Sequence, residues 1–413
     1  MIYQCLPDFL LSALERVTPF CRVALVGGLV RDHLLIRQGS LCVRPSSDID
    51  LVVEGSVEEA VERLLGAIVE QLGESVYIVE TNYPAYGSCS LKLSLTNAEA
   101  TTYSVDISRA RIESYPELAL NPSVSPGALE DDLRRRDFTV NAIAFDLSKC
   151  SFIDPFDGLA DIKAMRLSLL HMNSIAEDPT RVVRGCRYAA RLGLHFSQEA
   201  KDQIQSTLQK WPWKWKLADN PDQVPEALGI RLRMELDLLF QREPWQEAIQ
   251  ILHQVGGLAL LDRQLQQTNS WVRRLHWAKR LEVPLLLALV AGASDPLSLA
   301  SRLKLPHRQC KLLLQLAELQ FQLNQVSSDS RHPPSWWTRF LEASGFSPEV
   351  VSLSITLGGP YWHEQLRWLC SWRHVRSPIL ARDLMQVEDL RPGPELGARL
   401  EALRFAALDQ LPR

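Results

Sequence analysis

The spacing of apolar residues changes character once along this chain, and that change limits the folds open to it. Up to about residue 150 the apolar residues come in short runs at strand-like spacing, broken by glycine and proline; beyond it they recur mostly at helical spacing. Residues 22–26, 47–53, 75–80, 88–95 and 103–107 read as strands, with period-two alternation clearest over 90–95. Asp8 is placed to cap a short helix, and 29–36 has a helical pattern. Residues 108–131 have little periodicity and carry Pro116, Pro122, Pro126 and Gly127, so a flexible loop is expected there. Further helices are expected over 181–192, 198–209, 227–240, 245–255, 284–290, 309–323 and 394–408, with soft boundaries near 217–224 and 327–334. The expected class is α+β: a mixed α/β head over 1–150, a helical segment over 151–240, and a helical body and tail over 241–413.

With 413 residues and 46% hydrophobic content the chain can bury several cores. Its net charge of −4 announces no nucleic-acid partner, so such a partner would have to be held by local basic patches. None of the eight cysteines forms a C-x-x-C pair, which points to reduced thiols rather than a zinc site. No signal-peptide pattern opens the chain and no run approaches the roughly 18 apolar residues of a membrane span. A cytoplasmic protein with no membrane partner is the resulting expectation.

Two segments carry chemistry. In the strand around Asp48, Ile49 and Asp50, alternate side chains share a face, so Asp48 and Asp50 point one way and Ile49, Leu51 and Val53 the other. Two carboxylates on a rigid face suit Mg²⁺, which takes oxygen ligands and substrate phosphates. Alone, such a pair reads as solvent-facing residues at a strand start. The preceding turn changes that reading. Gly27 and Gly28 stand between a strand and a helix, where backbone N–H groups can meet phosphate, and Arg31 follows in the first turns.

Further along, Pro179 suits a first helical position with Asp178 as its N-cap. Arg181, Arg184 and Arg187 follow at three-residue steps and fan across one side of that helix. A carboxylate such as Asp178 can accept from the amino group of cytosine or adenine, and Arg181 can donate to the adjacent ring acceptor. Uracil and guanine would set a carbonyl against the carboxylate, leaving buried polar groups unpaired at about 1–3 kcal/mol.

In this order the segments resemble the class II tRNA nucleotidyltransferases and bacterial poly(A) polymerases: VGGLVRD at 26–32, the Asp48/Asp50 pair, DLRRRDFTVNA at 132–142, DPFDG at 154–158, EDPTRVVRGCR at 177–187 and IRLRMEL at 230–236. A weaker likeness continues at ARDLM, 381–385, and RPGPELG, 391–397. The resemblance implies a polymerase β-like head and Mg²⁺-dependent, template-independent addition of C and A, from CTP and ATP, to the 3′ acceptor end of tRNA. It implies that Asp48 and Asp50 are catalytic metal ligands. Gly28, Arg31, Arg136, Arg184 and Arg187 would hold phosphates and sugar, and Asp178 and Arg181 would read the base. Asp137 and Asn141 would position the ribose or fix the fold of their segment. Asp106 stands open between a third catalytic carboxylate and a structural one, and Arg134 and Arg135 suit a basic surface contact with RNA or, as the default, solvated charges.

The same motifs also serve CC-only addition, A-only addition and poly(A) synthesis. A partial enzyme would need a second nucleotidyltransferase. The 108–131 segment, a plausible switch between C and A, resembles the family's loop only partly. The tail lacks the basic character of the family's poly(A) polymerases, favouring tRNA. From another class, a catalytically inactive RNA-binding module would be expected to have lost a motif carboxylate or arginine, and none is lost. For RNA, the tryptophan–lysine mixture at 210–216, with 271–280 and 336–339, suits either base stacking or a hydrophobic core, and Arg302, Lys304, His307, Arg308 and Lys311 form a further basic candidate.

Overall fold

In a computed structural model, residues 2–40, 48–84, 87–96, 101–327 and 332–411 are described. Ser47, at the start of the expected second strand, and part of the boundary expected near 327–334 lie outside them. The chain divides into two compact units, one of residues 1–219 with 223–260, the other of 220–222 with 261–413.

The first unit is built on a seven-stranded sheet of order β3-β4-β5-β2-β1-β8-β9. Its strands are β1 (Arg22–Val26), β2 (Asp48–Glu54), β3 (Val76–Tyr83), β4 (Ser88–Leu95), β5 (Thr102–Arg109), β8 (Ala144–Asp146) and β9 (Ser151–Ile153), while β6 (Arg111–Ser114) and β7 (Ser123–Pro126) pair separately. The five expected head strands are all present. Strand β2 lies between antiparallel β1 and parallel β5. Ile49, Leu51 and Val53 are buried on one face, and Val52 joins Ala24, Val26, Leu129 and Leu133 in a cluster that covers the far half of the other. Only the near half of that second face stays open, and it carries Asp48 and Asp50.

Helices α1 (Asp8–Glu15), α2 (Gly28–Arg37) and α3 (Val57–Leu72) pack in the head. Asp8 sits in the first turn of α1, with Pro7 as N-cap. The sequence reading placed no helix at α3. It is capped by Ser56, whose Oγ accepts from Glu59 N at 3.2 Å, and it buries Val57, Ala60, Val61, Leu64, Ala67 and Ile68.

The expected flexible loop at 108–131 is instead ordered. Strands β6 and β7 form a two-stranded antiparallel ribbon, and α4 (Leu129–Arg134) follows it. The ribbon eludes a periodicity search because β7 is exposed throughout. It is held by charge: Glu113 accepts from Arg111 Nη2 at 2.8 Å and from Arg135 Nη1 at 2.9 Å. Arg135 is therefore no solvated charge, since it also binds the buried Asp132; Arg134 is exposed.

Helices α5 (Gly158–Lys163), α6 (Ser174–Glu177), α7 (Thr180–Leu192), α8 (Gln198–Lys210), α9 (Ile230–Arg242) and α10 (Trp245–Gln254) complete this unit. Asp154 accepts from Gly158 N and Leu159 N, both at 2.8 Å, and so caps α5. Phe138 is fully buried, with the ring edges of Tyr188 and Phe196 at centroid distances of 6.0 and 6.2 Å. Helix α7 reaches this aromatic layer through Gly185: a Cβ there would lie 2.5 Å from Phe196 Cζ and 2.7 Å from Phe138 Cζ.

The second unit is helical, running among the described residues from α11 (Arg263–Gln267) to α20 (Pro394–Asp409). Its core gathers Leu319, Trp337, Leu341, Val351, Ile355, Trp368 and Leu408. The tryptophans of the three lysine- or arginine-rich segments divide toward the core: Trp213, Trp215, Trp271 and Trp337 are buried, and Trp211, Trp277 and Trp336 half-buried. Arg302 is also buried, donating to Leu261 O at 2.7 Å, so it drops out of the expected basic surface. Among the described residues no helix is long and apolar enough to cross a membrane.

Because two rings occupy the space a Cβ would take, Gly185→Ala is expected to destabilise the first unit by about 1–3 kcal/mol. Denaturant unfolding of the purified variant checks this; an unchanged midpoint would mean that the aromatic layer shifts freely.

Candidate active site

The open half of β2 faces a cleft of about 1220 Å³. Asp48 is exposed and Asp50 half-buried. In the parallel pairing of β2 with β5, Asp50 lies opposite Asp106. Val105 and Ile107 are buried on the reverse face, so Asp106 joins the two β2 carboxylates on the cleft side. The signal was in the sequence, since Asp106 alternates with two apolar residues. That β5 lies beside β2 was not.

Gly27 makes this approach possible. Its φ is +72°, and a Cβ there would lie 2.7 Å from Asp50 Oδ2. Burial pushes the Asp50 carboxyl up to about 6; Arg136 and Arg31 oppose the rise, and Asp106 and Asp48 add to it. Among the described residues no group of three or more His, Cys, Asp or Glu side chains forms a ready metal cage. The donor set suits a hard cation that draws the rest of its coordination from substrate phosphates and water, as Mg²⁺ does.

The same cleft holds a set of arginines already fixed in place, with Arg31 and Arg136 close enough to act on the Asp50 carboxyl. Arg31 is buried in α2; its Nε donates to Asp32 Oδ1 and its Nη1 to Asn141 Oδ1, both at 2.8 Å. Its guanidinium carbon lies 4.9 Å from the centre of the Tyr188 ring. Arg136 donates to the buried Asp132 at 2.9 Å. On α7, Arg184 Nε donates to Asp137 Oδ2 at 2.9 Å and its Nη2 to the Tyr188 hydroxyl at 3.1 Å. Arg187 donates to Glu243 at 3.1 Å and also pairs with Glu235, two carboxylates from the α9 side. Arg184 and Arg187, three residues apart on the fan, also share Glu235.

Asp178 and Arg181 lie at the start of α7, 6% and 4% exposed. Pro179 occupies the N-cap position and Thr180 the first turn, so Asp178 stands one residue earlier than expected. It still caps, accepting from Thr180 N at 3.1 Å and Thr180 Oγ1 at 2.6 Å. Its other oxygen pairs with Arg231 of α9. Arg181 donates to Ser174 Oγ at 2.7 Å and to Arg135 O at 2.9 Å. Asp137 accepts from Asn141 Nδ2 at 2.8 Å and from the Phe138 amide at 2.9 Å, the bonding expected of residues that fix this segment.

All nine residues singled out in the sequence therefore line one cleft: Asp48, Asp50, Gly28, Arg31, Arg136, Asp178, Arg181, Arg184 and Arg187. Asp106, left open by the sequence, lines it as well, as do Tyr188 and Arg231; Arg231 and the counter-ion Glu235 stand in the 230–236 likeness without a role, and nothing in the sequence marks Tyr188 or Glu243. The cleft brings together carboxylates able to take a metal, cationic groups able to take phosphates, and a donor–acceptor pair at a helix start able to meet a base edge.

Residues 23–168 match the poly(A) polymerase head domain. The CC-adding tRNA nucleotidyltransferase of Deinococcus radiodurans is 33% identical over 310 residues, which span 72% of this chain and 71% of that protein. The A-adding tRNA nucleotidyltransferase of Aquifex aeolicus is 29% identical over 63% of this chain, but the match spans only 28% of that longer protein. Among solved structures, an apo CCA-adding enzyme superposes with a TM-score of 0.69 over 100% of this chain and 95% of its own, at 21% identity. The Thermotoga maritima CCA-adding enzyme complexed with tRNA gives 0.64 at 21% identity over 100% and 94%. These structures share the fold, and it is the sequence identity across more than two thirds of the Deinococcus protein that places the chain in the family of class II tRNA nucleotidyltransferases.

Proposed function

We propose that this enzyme adds C and A nucleotides, from CTP and ATP, to the 3′ acceptor end of tRNA in the cytoplasm, without a nucleic-acid template and with Mg²⁺. The observation that carries the reading is that one cleft gathers the Asp48, Asp50 and Asp106 carboxylates with the Arg31, Arg136, Arg184 and Arg187 guanidiniums. Enzymes of this family generally use divalent metals. Asp48 and Asp50 would hold the ion, with Asp106 beside them. Bound there, the cation supplies charge stabilisation to an α-phosphate and its attacking hydroxyl.

The chain's own residues do the rest by positioning. The α2 turn at Gly28 and the arginines hold the triphosphate and sugar. Asp178 accepts from the base amino group and Arg181 donates to the ring nitrogen beside it. Residues 1–150 would then act as the catalytic head, 151–240 as the nucleotide-recognition segment, and 241–413 as the part that holds the tRNA.

A CC-only reading has its own support in the Deinococcus relative, a CC-adding enzyme matched over most of its length. On that reading a second nucleotidyltransferase supplies the terminal A.

Purified protein with Mg²⁺ and tRNA transcripts lacking all, two or one of the CCA nucleotides decides between them. Extension of all three to CCA is expected. A halt at CC marks the partial enzyme, and no incorporation from any nucleotide refutes the catalytic reading. Chelation should abolish incorporation and added Mg²⁺ restore it. Asp48→Ala and Asp50→Ala should each lower the rate by at least about 10²-fold while circular dichroism stays native; near-normal activity in either would remove that residue from the metal site. Gly27→Ala should lower the rate by about as much, through displacement of Asp50, and an unaffected rate would show that the close approach at Asp50 is dispensable.

A further inference from the structure

Asp178 is nearly closed as an acceptor. Oδ1 takes two hydrogen bonds from Thr180, from its amide at 3.1 Å and its hydroxyl at 2.6 Å. Oδ2 pairs with Nη2 of Arg231. A carboxylate has about four acceptor positions, so one remains, on Oδ2.

We infer that Arg231 is a positioning residue for nucleotide selection: with Thr180 it pins the Asp178 carboxylate so that a single acceptor position meets the incoming base. This rests on the proposal that Asp178 reads the base amino group. Three observations carry it. Thr180 alone supplies the local capping bonds, so the helix start does not need a guanidinium. Arg231 comes from a different helix, 53 residues away in sequence, and lines the same cleft. Its Nη1 is buried with no hydrogen-bond partner among the described residues, so the guanidinium is not taken up by a satisfied packing network.

The effect on selection follows from rigidity. A carbonyl of uracil or guanine set against Asp178 is rejected only if the carboxylate cannot turn aside and leave room for water or a rotated base. With one oxygen held from α7 and the other from α9, turning aside breaks charge-assisted bonds. Arg181 is fixed in the same manner by Ser174 and the Arg135 carbonyl. Both readers are thereby set before the nucleotide arrives.

The test measures kcat and KM for CTP and UTP in single-nucleotide addition to a tRNA transcript lacking CCA, with the full-length enzyme. Arg231→Gln should lower the CTP-over-UTP ratio of kcat/KM by about tenfold or more, on the scale at which a hydrogen-bonded site discriminates. Most of the loss should appear as a raised KM for CTP. Arg231→Lys, which keeps a charged donor, should recover much of the ratio, and Thr180→Val should lower it by less than Arg231→Gln. A wild-type ratio in Arg231→Gln, even with a lowered melting temperature, overturns the inference and leaves Arg231 a purely structural ion pair. If Arg231→Gln does not fold, wild-type ratios in both Arg231→Lys and Thr180→Val overturn it equally. Asp178→Ala separates the two levels: if it keeps the wild-type ratio, the base-reading role of Asp178 itself fails, whereas a relaxed Asp178→Ala beside a selective Arg231→Gln sinks only the role of Arg231.

Discussion

The buried carboxylate of Asp137 ties the α2 end of the seven-stranded unit to the helices that follow it. It is 8% exposed and accepts from the Phe138 amide, Asn141 and Arg184. Burial opposes its charge, but the Arg184 guanidinium and the Asn141 bond outweigh burial and hold its carboxyl below the ordinary value. A charge in such a place must be paired or leave. The pairing runs outward in both directions. Through Asn141 it reaches Arg31 on α2, beside the carboxylate face; through Arg184 it reaches Glu235, and from there Arg187 and Glu243. Helices α2, α7 and α9 are thus mutually placed by one chain of ion pairs and hydrogen bonds, and the cleft lies along it.

This arrangement explains how a chain of net charge −4 offers a cationic site. Ten arginines and seven carboxylates line the cleft, so the excess of positive charge is local. Most of the arginines named above are bonded to an internal carboxylate rather than free in solvent. Already oriented, they would have little rotamer freedom left to lose in holding a phosphate.

What the sequence made legible, and what it hid, divides along the same line. Strand parity was enough for Asp48 and Asp50, because alternation is a local property of β2. Helical spacing was enough for the fan of Arg181, Arg184 and Arg187. Partnership was not legible. Asp106 has the right parity, but only the β2–β5 pairing brings it to Asp50. Glu235 and Glu243 look like ordinary helix-surface acids until α9 is laid against α7. The β6–β7 ribbon shows no periodicity because its strands bury little apolar surface; the Glu113 ion pairs and the backbone bonds of Ala119 to Glu177 and Ala227 tie it down instead. Arg302 was misread for the converse reason: a cation in a basic run gives no sign that a backbone carbonyl waits for it in the interior.

The motifs that carry the family resemblance do not all touch the cleft, and the difference is physical. Asp154 caps α5 with both oxygens, and Gly158 is bare because a Cβ there would lie 2.3 Å from Thr139 O. Neither residue lines the cleft. Thr139 in turn donates to Asp161 of α5 at 2.6 Å, which fixes the turn carrying Asn141 and, through it, Arg31. The aspartate and glycine of this segment therefore act on the site through geometry alone. Gly185 does the same from the other side, letting α7 close onto Phe138 so that Arg184 reaches Asp137. Reading a shared motif as a list of ligands would misassign these residues. Following each carboxylate to the N–H it satisfies separates the groups that build the cleft from the groups that face it.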